Sequence, residues 1–226
     1  NKFAFVTQRS RISHALDDPK SDPLNWGYFI MGACEQCTDL YQGEFKSIKV
    51  VHDKFYNTNL LSIQVGNTKP IKIPSIEWSQ QTFSNSIVDS GTNSILLAPE
   101  VFQALVTKVS SSNSAEKGSA LSLGVAMMNE LDIKNWPDLI FTFEGPEGET
   151  SLILKSDTYW QENNPAAGVA KCILKSTGGP DVNILGLPLL NNHFTIFDRS
   201  ADDGIGVIRF AALTNRTNTK VNKIQP

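Results

Sequence analysis

Along most of the chain the apolar residues come in short runs rich in Val, Ile and Phe, broken by Gly, Pro, Asn and Asp, which is the pattern of an all-β fold with a few short helices. Residues 3–7 and 26–31 read as two strands, separated by a polar insert with Asp17, Asp18, Pro19, Ser21, Asp22 and Pro23 that reads as a loop. Residues 45–51, 56–65 and 69–73 alternate apolar and polar positions as half-buried strands do, and Gly66-Asn67 suits a hairpin tip. The stretch 86–89 predicts a strand that runs into the turn Ser90-Gly91-Thr92. Strands are expected again at 139–143 and 151–154, around the turn Gly145-Pro146-Glu147-Gly148, and then at 170–175, 182–185, 194–198 and 206–211. Helical spacing interrupts this series after Pro99, where Val101, Leu105 and Val109 with Phe102 and Val106 make one apolar stripe. Residues 110–114 end that helix in a polar linker, 120–131 predicts a second, weaker helix, and 216–226 reads as a polar, frayed tail.

Composition narrows the class without changing this picture. With 226 residues, 40% apolar and 19% charged, the chain has the makeup of a globular protein able to bury a core. No run approaches the roughly 20 apolar residues that a bilayer requires, so no transmembrane segment is expected. A net charge of −3 with scattered Lys and Arg argues against a surface built to neutralise phosphates, and nucleic acid is not an expected partner. The sequence starts at Asn1 without an initiator Met or a signal peptide, which reads as a processing or cloning boundary. The sequon Asn215-Arg216-Thr217 is compatible with glycosylation of a secreted protein.

Three cysteines are present, two of them as Cys34-x-x-Cys37 and the third at Cys172. The close pair could form a loop disulfide, half of a zinc site or a redox pair. Zinc takes about four ligands, and His14, His52 and His193 show no paired spacing, so no metal is expected. A redox motif of the thioredoxin kind would want a strand-to-helix context, whereas residues 32–41 read as a turn between strands. A loop clip or two unreactive thiols are the readings favoured.

The candidate chemistry lies in Ser86-Ile87-Val88-Asp89-Ser90-Gly91-Thr92. Apolar strand residues deliver a carboxylate to the mouth of a tight turn, where Gly91 permits close backbone approach and two hydroxyls can bond nearby groups. The string Asp-Ser-Gly-Thr alone is weak, because these residues populate any turn. Further along come Asn183-Ile184-Leu185-Gly186, Phe194-Thr195-Ile196-Phe197-Asp198-Arg199 and Arg209-Phe210-Ala211. This order of Val-Asp-Ser-Gly-Thr, Ile-Leu-Gly, Phe-Asp-Arg and a terminal Phe-Ala resembles the C-terminal lobe of the pepsin-like aspartic proteases. Phe3-Ala4-Phe5 with Gly27-Tyr28-Phe29-Ile30-Met31-Gly32, then Tyr41-Gln42-Gly43, Phe55-Tyr56 and Trp136-Pro137-Asp138-Leu139-Ile140-Phe141 extend the resemblance over nearly all of 3–211.

The resemblance implies the C-terminal lobe of a bilobal fold, with 1–32 as inter-lobe platform strands, 33–215 as the catalytic lobe and 216–226 as a tail. It implies that Asp89 is the second of two catalytic aspartates, that Ile87, Ser90, Gly91 and Thr92 contact substrate, and that Thr92 reaches toward the other lobe. Ile184, Leu185 and Gly186 would brace the aspartate turn by a ψ-shaped crossing. The expected chemistry is endopeptidase hydrolysis by an aspartate-activated water, with no cofactor. Two carboxylates about 3 Å apart cannot both ionise, so such a pair titrates as a unit and favours acid. The expected partners are an N-terminal lobe, which would supply the other aspartate, and a peptide or protein substrate; the expected setting is secreted or a lysosome- or vacuole-like acidic compartment. Asp198 and Asp202 read instead as turn and surface residues.

Several positions depart from the family pattern. Asn93 follows Thr92 where Ser or Thr is usual, and Leu187 stands where many relatives have Asp. Cys172 sits near one half of a family disulfide without a cysteine around 128–130 to pair with, and a short insertion separates Asp202 from Arg209. A catalytically inactive homologue that binds a peptide or serves as an assembly component is the alternative function, and a self-associating half that pairs two copies of Asp89 is a third. The intact Asp89-Ser90-Gly91-Thr92 favours the enzyme, since a buried carboxylate is costly to keep without a use.

Overall fold

The period-two alternation resolves into four sheets among the described residues. The structure, a computed structural model, describes residues 1–7, 27–74, 84–179 and 181–214; the 17–23 insert, the sequon at Asn215 and the 216–226 tail lie outside them. At the base lies an antiparallel sheet in the order β2 (Gly27–Met31), β1 (Lys2–Thr7), β16 (His193–Asp198), β17 (Val207–Leu213) and β3 (Tyr41–Lys49). Phe3 and Phe5 of β1 pack onto the main core, whereas Ala4 and Val6 join Phe194 and Ile196 in a smaller cluster on the opposite face. Alternate residues of one strand thus serve two cores, as a pleated strand must.

Above the base, β10 (Leu139–Gly145) and β11 (Gly148–Leu154) form a hairpin that pairs with β5 (Leu60–Val65) and, beyond it, β6 (Ile71–Lys72). Leu139, Phe141 and Phe143 point into the core while Ile140 and Thr142 between them are more exposed, an alternation set by the pleat. A smaller sheet holds β12 (Trp160–Glu162), β13 (Val169–Cys172) and β9 (Val125–Met127). The fourth sheet carries the candidate site. Its order is β14 (Leu174–Ser176), β8 (Ile95–Leu97), β15 (Asn183–Leu185), β7 (Ser86–Val88) and β4 (Asn57–Thr58), with β14 parallel to β8 and β15 parallel to β7.

Helix α1 (Pro99–Ser112) opens on its proline and buries Val101, Leu105 and Val109 as the spacing predicts. The second helix needs correction: α2 runs Ala115–Leu123 rather than 120–131. Ser114 caps it by accepting a bond from the Lys117 N–H, and Gly124, in the left-handed region at φ 70°, stops it. Val125–Met127 then pairs with β13, so tertiary pairing overrides the helix-forming residues that follow. The run expected at 170–175 splits at Ile173 into β13 and β14, which belong to different sheets, and β8 was not anticipated. Cys34 and Cys37 are joined as a disulfide between β2 and β3, the loop clip among the readings open for that pair. Among the described residues no group of three or more His, Cys, Asp or Glu gathers to hold a metal, and no helix is long and apolar enough to cross a membrane.

Candidate active site

Asp89 follows the last residue of β7, a strand held on both sides. On one side the Val88 N–H donates to Tyr56 O at 3.0 Å, and on the other the Asp89 N–H donates to Leu185 O at 3.0 Å. The parallel register sets Ile87 opposite Ile184 and Val88 opposite Leu185. The turn then folds back on the carboxylate: the Gly91 N–H donates to Oδ1 at 2.9 Å and the Thr92 hydroxyl to Oδ2 at 2.6 Å. A Cβ on Gly91 would lie 3.2 Å from Oδ1, so glycine lets the backbone amide come this close. Each oxygen has one neutral donor, and among the described residues no Lys, Arg or His lies within ion-pair distance of Asp89.

Gly186 continues β15 through the loop that follows the turn. Its N–H donates to Ser94 O at 3.2 Å, and the Leu187 N–H donates to Thr92 O at 2.7 Å. A Cβ at residue 186 would overlap the carbonyl oxygens of both Thr92 and Ser94, so this crossing requires glycine. Ile184, Leu185 and Gly186 therefore meet the aspartate turn directly. Leu187, whose amide makes the last of these bonds, begins the short helix α4 (Leu187–Leu190).

A concavity of about 450 Å³ opens beside Asp89. Phe3, Phe55, Tyr56, Ile87, Ile184 and Phe197 give it an apolar lining, with Asp89, Ser90, Lys54 and Arg199 as its polar and charged members. Phe197 stacks on Phe3 with centroids 4.8 Å apart and meets Tyr56 edge-on at 4.7 Å. The Arg199 guanidinium lies 4.2 Å over the Tyr56 ring and donates to Ile205 O at 2.6 Å and Phe55 O at 2.7 Å, which fixes that wall. Burial, partly opposed by Arg199, raises the Tyr56 phenol above its ordinary value and keeps it neutral.

The structure thus brings Asp89, Ser90, Ile87 and Ile184 to one concavity. Gly91 and Thr92 do not line it; each donates to the Asp89 carboxylate from the turn. Tyr56, Phe197 and Arg199 were not singled out for the site, because an aromatic in a strand gives no sign of which neighbour it will face. Asp198 is separate. Its side chain is 4% exposed, 3.0 Å from the Lys2 ammonium and 2.6 Å from Arg209, and accepts bonds from the Ser200 N–H and hydroxyl. Burial works against its ionisation, but the Ser200, Lys2 and Arg209 donors outweigh that and hold its carboxyl well below the usual range. Asp202 sits at φ 50° in a short 3-10 turn. Cys172 is free and fully buried, and burial pushes its thiol up to about 12, out of reach of ordinary thiolate chemistry.

With this geometry in place, comparison with known families is informative: a family model described as eukaryotic aspartyl protease matches residues 17–211.

Proposed function

The chain belongs to the eukaryotic aspartyl protease family, and on that premise we propose that it carries one half of the catalytic centre of an aspartic endopeptidase, with Asp89 as its acid. The observation that carries this reading is the pair of neutral donors on Asp89. The Gly91 amide and the Thr92 hydroxyl fix the carboxylate at the edge of the concavity, and among the described residues no cation pairs with it. It is suited to share a proton with a second carboxylate brought against it. Asp89-Ser90-Gly91 is the one Asp-Ser/Thr-Gly triplet in the 226 residues, so the second acid comes from polypeptide outside this sequence, in an N-terminal lobe that packs on the platform strands of 1–32.

The reaction follows from that proton. The ionised member of the pair removes a proton from a water lying between them, and the oxygen attacks the scissile carbonyl carbon. The neutral member gives its proton to the carbonyl oxygen, and collapse of the tetrahedral species returns a proton to the leaving amine. Ile87 and Ser90 contact a substrate side chain in the concavity, Gly91 and Thr92 orient the carboxylate, and the 184–186 crossing braces the turn. A singly protonated pair works best in acid, which fits a secreted protein or a lysosome- or vacuole-like compartment.

The test uses the full-length protein and an unstructured polypeptide substrate. Cleavage at acidic pH, blocked by pepstatin and lost in Asp89→Asn, is the expected result. Cleavage that survives Asp89→Asn overturns the assignment.

A further inference from the structure

The strand that presents Asp89 is tied at its far end by two buried carboxamides. Asn183 is 1% exposed and Asn85 is 2% exposed. Asn183 Nδ2 donates to Asn85 O at 2.9 Å, where the Asn183 N–H also donates at 2.9 Å, and the Ala98 N–H donates to Asn183 Oδ1 at 3.0 Å. Ala98 is the cap residue of α1. The Asn85 side chain pairs with the next sheet as a strand backbone would: the Leu60 N–H donates to Oδ1 at 2.8 Å, and Nδ2 donates to Leu60 O at 2.9 Å. Together the two side chains join β5, β7, β15 and the head of α1.

These bonds lie at the root of both strands that fix the aspartate. Asn85 is four residues before Asp89, and Asn183 is two residues before Leu185, whose carbonyl receives the Asp89 N–H. Parallel pairing of three residues is a short ladder, and it specifies register weakly on its own. One step along a strand is about 3.3 Å, which would carry a carboxylate out of any shared-proton geometry. The clamp supplies the register that the ladder lacks. An apolar pair of the same volume would fill the space, but it would leave the Ala98 N–H and the Leu60 amide and carbonyl without partners inside the core.

We propose that Asn85 and Asn183 are positioning residues for the catalytic aspartate, setting the height and register of β7 against β15 from the end of the strands opposite to Asp89. The proposal rests on the endopeptidase reading for its kinetic test and has a second test that does not. In the full-length protein, Asn183→Leu is expected to lower kcat about 10- to 100-fold with KM changed less than about twofold, because the acid is misplaced while the concavity remains. Amide hydrogen exchange at Asp89 and Gly91 is expected to quicken at least about tenfold in the same variant. Asn183→Asp is the selective rescue. Protonated, its O–H can donate to Asn85 O while its other oxygen accepts from Ala98, so it should match the wild type in acid and fail as the pH rises and the buried carboxyl ionises. Leu152→Ala, a cavity in the β10–β11 sheet, serves as a control of lowered stability that should keep its kcat.

Wild-type kcat and exchange in Asn183→Leu overturn the clamp, and so does a loss of kcat that Leu152→Ala shares at equal loss of Tm. A wild type without proteolysis whose Asp89 and Gly91 amides still respond to Asn183→Leu sinks the endopeptidase reading and leaves the clamp. Intact proteolysis with unresponsive amides does the reverse. Should Asn183→Leu not fold, the acid and neutral arms of Asn183→Asp decide the matter, and equal activity relative to wild type in both is the result that refutes it.

Discussion

Asp89 and Asp198 both stand at the end of a strand, and the chain treats them in opposite ways. Asp198 ends β16 under two cations and two donors from Ser200, so its charge is neutralised inside the protein and it ties β1, β16 and β17 together. Among the described residues Asp89 takes its donors only from its own turn, both neutral, and it borders a concavity. The difference separates architecture from chemistry: Asp198 is neutralised by cations within the fold, whereas Asp89 is oriented by its own turn at the edge of a concavity, where an outside group can reach it.

Substitution at the two sites should break this symmetry. Asp89→Asn keeps one oxygen to accept from the Gly91 amide and offers an NH2 that can donate to the Thr92 hydroxyl, and it is expected to lower kcat about a thousandfold or more while Tm, by calorimetry, moves only slightly. Asp198→Asn is expected to do the converse. It removes the buried anion between Lys2 and Arg209, leaving them the exposed Glu35 carboxylate alone among the described residues, and should cost about 3 kcal/mol of stability, with the folded fraction still active. The pH dependence sharpens the second case. Because the folded carboxyl titrates below its unfolded value of 3.8, its stabilisation is complete above that value and drains as pH falls through the folded one. The Tm gap between wild type and Asp198→Asn should therefore be constant above about pH 5 and narrow below 3.8. A gap that widens in acid would refute the assignment.

A smaller effect probes how Asp89 is held. Thr92→Val keeps the volume and removes the 2.6 Å donor on Oδ2. It is expected to lower kcat about tenfold with KM little changed, as measured by steady-state kinetics, since one hydrogen bond orienting a catalytic group is lost. If KM rises instead with kcat intact, Thr92 contacts substrate, as the sequence alone suggested.

How much of this was legible beforehand depends on where the information lies. The hairpin of β10 and β11 was readable because a short apolar run, 139–143, is followed by the turn residues Gly145-Pro146-Glu147-Gly148 and a second run at 151–154. The meeting of Asp89 with the 184–186 stretch was legible through motif order and family resemblance. Periodicity could not have shown it, because a parallel pairing across nearly a hundred residues leaves no local trace. The end of α2 was misjudged because Gly124 acts through a left-handed φ that only the C-cap context reveals. Asn183 was read only as part of the strand at 182–185, and Asn85, just before the strand at 86–89, was not singled out. Their role appears only when four elements converge on two carboxamides buried from solvent.

The smallest expected effect concerns His193, next to the α4 segment that follows the 186 crossing. Its Nδ1 lies 3.1 Å from Asn191 O, and its ring meets Phe210 edge-on at 5.7 Å. Burial lowers its proton affinity, Lys46 adds to that, and the carbonyls of Asn191 and Leu189 only partly offset it. A histidine that titrates below its unfolded value of 6.5 is neutral when folded, so the unfolded chain takes up a proton first as the pH falls. Its contribution is therefore present above 6.5 and lost below it, opposite in range to that of Asp198, which persists down to 3.8. His193→Gln keeps an acceptor and a donor but cannot charge. It should cost a few °C of Tm at neutral pH and recover part of that deficit between pH 6.5 and 5. A deficit that grows on acidification would mean that the imidazole is charged in the folded protein and that the two backbone carbonyls, not burial, govern it.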